Sequence, residues 1–132
     1  GVTADTTAVK YADVVNMEAT LENANVGGNI CYIVNPTAKA TLKTTSKDAG
    51  SGRFLMEGGE IDGYPVYTSS AVASKGVVMG NFEDYVIAQW GGIDLVVDAV
   101  TQAVNGKVRL VVSGYFDAKP RRANAFVKKI LK

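Results

Sequence analysis

Residues 30–37 read Ile30-Cys31-Tyr32-Ile33-Val34-Asn35-Pro36-Thr37. Five apolar and β-favouring residues in an unbroken run indicate a strand buried on both faces. Asn35 then supplies an N-cap, and Pro36 sits at the first helical position, where its missing N–H costs nothing. Ala38, Ala40, Thr41 and Leu42 continue the helix to about Thr44. A strand feeding directly into a helix sets the class of the whole chain, because both elements must bury apolar faces in one core.

Upstream, residues 5–23 predict a helix. Val14, Met17 and Leu21 fall on one stripe, extended by Tyr11 and Ala12, while Asp13, Glu18 and Glu22 lie mostly off it. Asp5 or Thr6 can cap it. Asn25-Val26-Gly27-Gly28-Asn29 ends it, glycine supplying the positive φ of a helix stop. Downstream, Ser46 to Arg53 is a polar, glycine-containing loop, expected to be exposed and mobile. Asp62-Gly63 favours a tight turn, and Pro65 argues for an edge strand because it cannot donate to a ladder. Tyr85–Trp90 and Ile93–Asp98 read as a hairpin turned by Gly91-Gly92. Lys107 to Lys119 is the longest strand candidate, and Ala125 to Leu131 a final short strand. Helix, strand, helix and then many strands predict an α+β domain.

The 132 residues suit one compact unit, with 47% apolar and 20% charged residues. There is no histidine, which removes Ser-His-Asp and Cys-His catalysis and any His-ligated metal. The single cysteine removes an internal disulfide and a thiolate zinc cluster. Cys31 itself lies in an apolar run with no cation to lower its pKa, so it reads as a buried, inert thiol. No run reaches the ~18–20 apolar residues of a membrane helix. No glycine pair meets the requirements of a Walker loop or a dinucleotide fingerprint.

The net charge of +1 hides a split. Residues 1–100 carry six Lys/Arg and twelve Asp/Glu; residues 101–132 carry eight Lys/Arg and Asp117 alone. The candidate basic surface is Lys119, Arg121, Arg122, Lys128 and Lys129, interleaved with Phe126, and could meet nucleic-acid phosphates. Glu57, Glu60 and Asp62 form an acidic cluster beside a glycine pair, where a carboxylate pair could serve glycoside hydrolysis or a cation, though a solvated turn is the favoured reading. Trp90, Tyr85, Tyr64 and Tyr67 are candidate core or interface rings.

Five segments in order resemble one known family. Ile61-Asp62-Gly63-Tyr64-Pro65-Val66-Tyr67-Thr68-Ser69 is similar to the Gly-x-Pro-Val strand of tailed-phage major capsid proteins with the Hong Kong 97 fold. Val77 to Trp90 resembles its glycine-led segment and following strand, with Asn81 in the usual Asp place. Val108 to Asp117 and Ala123-Asn124-Ala125-Phe126-Val127 resemble its closing strands. Ile33-Val34-Asn35-Pro36-Thr37 is similar to its helix start.

The resemblance implies a Hong Kong 97-like axial domain over 1–106 and the closing strands of a peripheral domain over 107–132, joined in one compact unit. It implies a C-terminal portion of a longer subunit, in line with a chain that begins at Gly1 rather than Met. It implies a structural shell protein without enzymatic activity, metal or cofactor, self-assembling with copies of itself. The virion capsid would be its location, after the host cytoplasm, with packaged DNA possible at the basic surface and no membrane contact. Ser46, Lys47, Asp48, Ser51 and Arg53 become the candidate inter-subunit loop. The chain alone is expected to be monomeric or weakly associated. Some members cross-link through a Lys–Asn isopeptide bond assisted by Glu; Ser113-Gly114 stand at the Glu place here, so that chemistry is not implied. A small nucleic-acid-binding module using the basic segment is the alternative reading.

Overall fold

The computed structural model describes residues 9–131. Its elements are α1 (Tyr11–Asn23), β1 (Ile30–Val34), α2 (Pro36–Thr44), β2 (Glu60–Ile61), β3 (Tyr64–Thr68), β4 (Gly76–Asn81), β5 (Tyr85–Asp98), β6 (Arg109–Pro120) and β7 (Phe126–Ile130). The chain divides into two compact units, Tyr85–Lys119 and the remainder.

The first unit is built on a five-stranded sheet of order β2-β3-β1-β4-β7. β1 runs parallel to β3, with α2 as the crossover, and antiparallel to β4. Tyr32, Val34, Val77 and Met79 share one face of the sheet and belong to a single core with Val14, Met17 and Leu21 of α1 and Ala38 and Leu42 of α2. Leu55, Met56 and Ile61 complete that core. On the other face Cys31, Ile33 and Val78 are only half-buried. β1 is therefore central in the sheet, as its composition predicts, but fully buried on one face alone.

The helix ends follow local chemistry. The Asn35 side chain accepts from Thr37 N–H at 3.0 Å, with Pro36 in the first turn. It also donates to Val72 O at 2.7 Å, so one cap ties α2 to the loop before β4. α1 stops on Asn25 (φ +52°), not on a glycine. Val26 N–H reaches Leu21 O at 3.1 Å and Asn25 N–H reaches Glu22 O at 2.8 Å, a Schellman arrangement that Asn tolerates. At the other end of α1, Asp13 accepts from Lys10 N–H at 2.8 Å. The expected caps Asp5 and Thr6 lie outside the described residues.

Two tight turns flank the two-residue β2. Gly58 and Gly59 (φ +60° and +94°) form the first, and Asp62 and Gly63 (φ +49° and +87°) the second. Positive φ at both central residues fits the right-handed twist of a hairpin. Pro65 pairs opposite Glu60, and β1 engages β3 only from Val66 onward. β3 is thus not the edge strand that Pro65 suggests; the proline sits just before the parallel ladder instead.

The second unit is one pair of long strands, β5 and β6. The hairpin expected at Gly91-Gly92 is absent: Gly91 takes φ +69° inside a continuous β5, an irregularity that a glycine absorbs without reversing the strand. The turn comes later, where Asp98 accepts from Val100 and Thr101 N–H at 3.0 Å each. The boundary expected at 106/107 falls on the connector between β5 and β6. Their pairing spans it, so the chain divides at 84/85 and 119/120. Large apolar side chains stand exposed along this unit, with Ile87 at 72% and Tyr115 at 69%.

Among the described residues no helix is long and apolar enough to cross a membrane.

Candidate functional site

The 46–53 segment was expected to be mobile, yet it is pinned at its base, its tip and one side. At its base Leu55 N–H donates to Thr45 O at 3.0 Å, and Lys47 N–H to Arg53 O at 2.7 Å, so the segment is a small hairpin. At its tip Asp48 Oδ1 accepts from Gly50 N–H at 3.0 Å and Ser51 N–H at 2.6 Å. These bonds, Gly50 first, hold the Asp48 carboxyl below the usual range. On the side, Lys47 Nζ lies 2.6 Å from Asp62 Oδ1 and 4.2 Å from the Tyr11 ring centroid. One lysine therefore joins the loop, the β2–β3 turn and the start of α1.

Burial pushes the Asp62 carboxyl up, but hydrogen bonds from Lys47 and Tyr11 outweigh it and leave the group below its ordinary value. The same pairing with Asp62, then Tyr11, raises Lys47. Glu57 accepts from Phe54 N–H at 2.9 Å and from Arg53 at 3.2 Å, and both lower its pKa, the backbone bond first.

Lys47, Arg53, Phe54, Glu57, Glu60 and Asp62 line a recess of about 260 Å³. The structure thus gathers the three carboxylates singled out in the sequence, but each of Glu57 and Asp62 faces a cation. Backbone and cationic hydrogen bonds hold both of these carboxyls below their ordinary range, the direction opposite to that of the raised general acid that glycoside hydrolysis uses. Among the described residues no group of three His, Cys, Asp or Glu is placed to hold a metal ion. Cys31 is half-buried, and burial raises its thiol pKa, the opposite of activation.

The five basic residues do not act alike. Arg122 pairs with Asp84, and Lys129 Nζ sits 2.7 Å from Asp13 Oδ1, so both stitch the C-terminal segment to the rest of the first unit. Arg121, Lys128 and Lys119 are exposed, the last of them in the second unit.

Two features escaped the sequence reading. Phe54, 46% exposed, stands beside Arg53 on the hairpin rather than in the core. The second unit leaves Ile93, Leu95, Leu110 and Val112 uncovered, in addition to the Trp90 ring already singled out in the sequence. The signal was available: Leu95-Val96-Val97 and Leu110-Val111-Val112 are continuous apolar runs, which imply cover on both faces of a strand.

The Phage capsid family profile matches residues 1–129. The major capsid protein of Halomonas phage phiHAP-1 is 33% identical over 117 residues, covering 88% of this chain and 19% of its own length. Among solved structures, the capsid of an empty GTA particle superposes with TM-score 0.71 at 21% identity, over 99% of this chain and 47% of that one. A Mycobacterium phage Che8 chain gives TM-score 0.70 at 14% identity, over 97% and 52%. The chain therefore spans a fifth of the curated relative and about half of the solved chains. The fold expected from the sequence, α+β and Hong Kong 97-like, is the one these likenesses support.

Proposed function

The chain belongs to the phage capsid family, and on that premise we propose that it is a shell-forming part of a phage major capsid protein whose work is contact with copies of itself. The observation that carries this reading is the uncovered apolar surface of β5 and β6. A lone two-stranded pair is marginal in water, and large exposed apolar patches mark surfaces that are covered in an assembly. A structural role asks for no general acid, metal or nucleophile. In this reading the chain works in the virion capsid, having passed through the host cytoplasm before assembly.

In this reading the pinned segment bearing Ser46, Lys47, Asp48, Ser51 and Arg53 is an inter-subunit loop, meeting its neighbour head-to-tail around a symmetry axis. Contact with packaged DNA falls to Lys119, Arg121 and Lys128, since Arg122 and Lys129 are engaged within the chain.

Assembly is the test. The complete gene product, expressed and viewed by electron microscopy and sedimentation, is expected to form closed shells. Small oligomers under every condition, with a different protein building the shell, would overturn the reading.

A further inference from the structure

We propose that Lys47 is a positioning residue that pre-orders the contact surface presented by Arg53 and Phe54. The inference rests on the assembly reading above and adds to it the residue on which the loop's order depends.

Four observations converge. Arg53 and Phe54 project from the hairpin, and an exposed aromatic beside an arginine has the composition of an interface anchor. Their backbone is fixed by two cross-hairpin bonds, Lys47 N–H to Arg53 O and Leu55 N–H to Thr45 O. The tip carries Gly50, Ser51 and Gly52, whose backbone freedom is costly to remove and which are held only locally, by Asp48. What holds the hairpin laterally is the Lys47 side chain, clamped between the Asp62 carboxylate and the Tyr11 ring.

Asp62 and Tyr11 are themselves well anchored. Asp62 occupies the β2–β3 turn, and Tyr11 opens α1 and packs against the core. The clamp therefore refers the loop to the sheet and a helix at once. A loop ordered in advance loses less freedom on binding, so its contacts contribute more affinity. Lys47 is only 27% exposed in its side chain and Asp62 21%, a partly shielded pair rather than a fully solvated one. The occupant is another copy of this chain, as the assembly reading requires, and the surface agrees with it: Arg53, Glu57 and Phe54 are mixed and charge-balanced, not the single-sign patch that a nucleic acid would require.

The test has two arms. In the first, amide hydrogen exchange of this chain is compared for the native protein, Lys47→Met, Lys47→Arg and Asp62→Asn. Lys47→Met and Asp62→Asn are expected to speed exchange at Lys47 and Leu55 about 5- to 10-fold, leaving β1 and β4 unchanged. Lys47→Arg, which keeps the cation, is expected to restore protection. Unchanged exchange at these two amides overturns the clamp.

In the second arm, shell yield of the complete gene product is measured with Lys47→Met and with Phe54→Ser. A fall in both supports the inference. A fall with Phe54→Ser alone, despite faster exchange in Lys47→Met, overturns the positioning role. No fall with either removes the loop from the assembly reading and overturns the inference with it, even if the exchange arm succeeds.

Discussion

Asp84 and Arg122 lie 38 positions apart in sequence and meet in an ion pair, with Arg122 Nε 3.0 Å from Asp84 Oδ2. The backbone repeats the link, Arg121 N–H donating to Asp84 O at 2.7 Å. Asp84 is the last residue of the first unit before β5, and Arg121 and Arg122 follow directly on β6. The pair thus fastens together the two points at which the chain leaves and re-enters the first unit.

Arg122→Ala strips the guanidinium from a carboxylate that is only 12% exposed. The arginine is itself half in solvent, so the loss is expected at about 1–2 kcal/mol rather than the full value of a buried pair. Urea unfolding measures it. Asp84→Asn removes the buried charge along with the pairing and is expected to cost less than Arg122→Ala.

Asn35→Ala removes both the cap of α2 and the bond to Val72 O. A loss of about 1–2 kcal/mol is expected from thermal unfolding. Asn35→Asp keeps the acceptor for Thr37 but sets an anionic oxygen against the Val72 carbonyl, and is expected to destabilise at least as much.

Gly80 lies where β4 passes closest to the chain entering β7. A methyl group there would sit 2.4 Å from Ala125 O and 2.6 Å from Phe126 Cδ1. Gly80→Ala is therefore expected to cost about 1–3 kcal/mol by forcing β7 away from the sheet. Gly27→Ala, with nothing within 4 Å, is the control and should be close to neutral. Chemical denaturation of the two variants separates them.

Glu18 accepts from the Tyr32 hydroxyl at 3.2 Å, and its carboxyl is raised above 4.5, chiefly by burial. Burial, then the Glu18 charge, pushes the Tyr32 hydroxyl far up, so it stays protonated and donating. The folded state holds the Glu18 proton more tightly than the unfolded state. This contribution to stability is complete below the unfolded pKa and is lost as pH rises through the folded one. Glu18→Gln is expected to flatten stability between pH 4 and 7, and to equal or exceed the native protein at pH 7. Melting curves across that range check both.

Ile93→Lys and Leu110→Glu place charges on the uncovered strands of the second unit. Both are expected to reduce binding of an apolar dye to the chain while leaving unfolding of the first unit unchanged. Equal dye binding in native and variant chains would show that this surface is not the exposed one.

Much of the first unit was legible in sequence because its signals are local. Asn35-Pro36 fixes a helix start through one side-chain bond and one missing N–H. Val14, Met17 and Leu21 mark a buried stripe through helical spacing alone. Asp62-Gly63 marks a turn because few residues accept positive φ. Gly91-Gly92 misled for the same reason: the glycine does take positive φ, but whether that reverses a strand depends on what pairs beside it.

The candidate loop shows the same limit more sharply. Serines and glycines from 46 to 53 signal freedom, and nothing nearby in sequence contradicts them. Order comes from Asp62, 15 positions past Lys47, and from Tyr11 in the first helix. The basic end behaves likewise. Its sequence announces cations but not their partners, and Asp13 and Asp84 are brought to Lys129 and Arg122 only by the sheet that places β7 beside β4.

By itself, then, the sequence determined the α+β class, the Asn35 cap of α2, the apolar stripe and, through five ordered motifs, the capsid family. These depend on backbone chemistry and on spacing within a few residues. The tertiary structure alone decided which charges pair within the chain, which side chains tie the 46–53 loop to the β2–β3 turn and α1, and which apolar strands are left uncovered. Those depend on distances between residues far apart along the chain, which only the folded backbone sets.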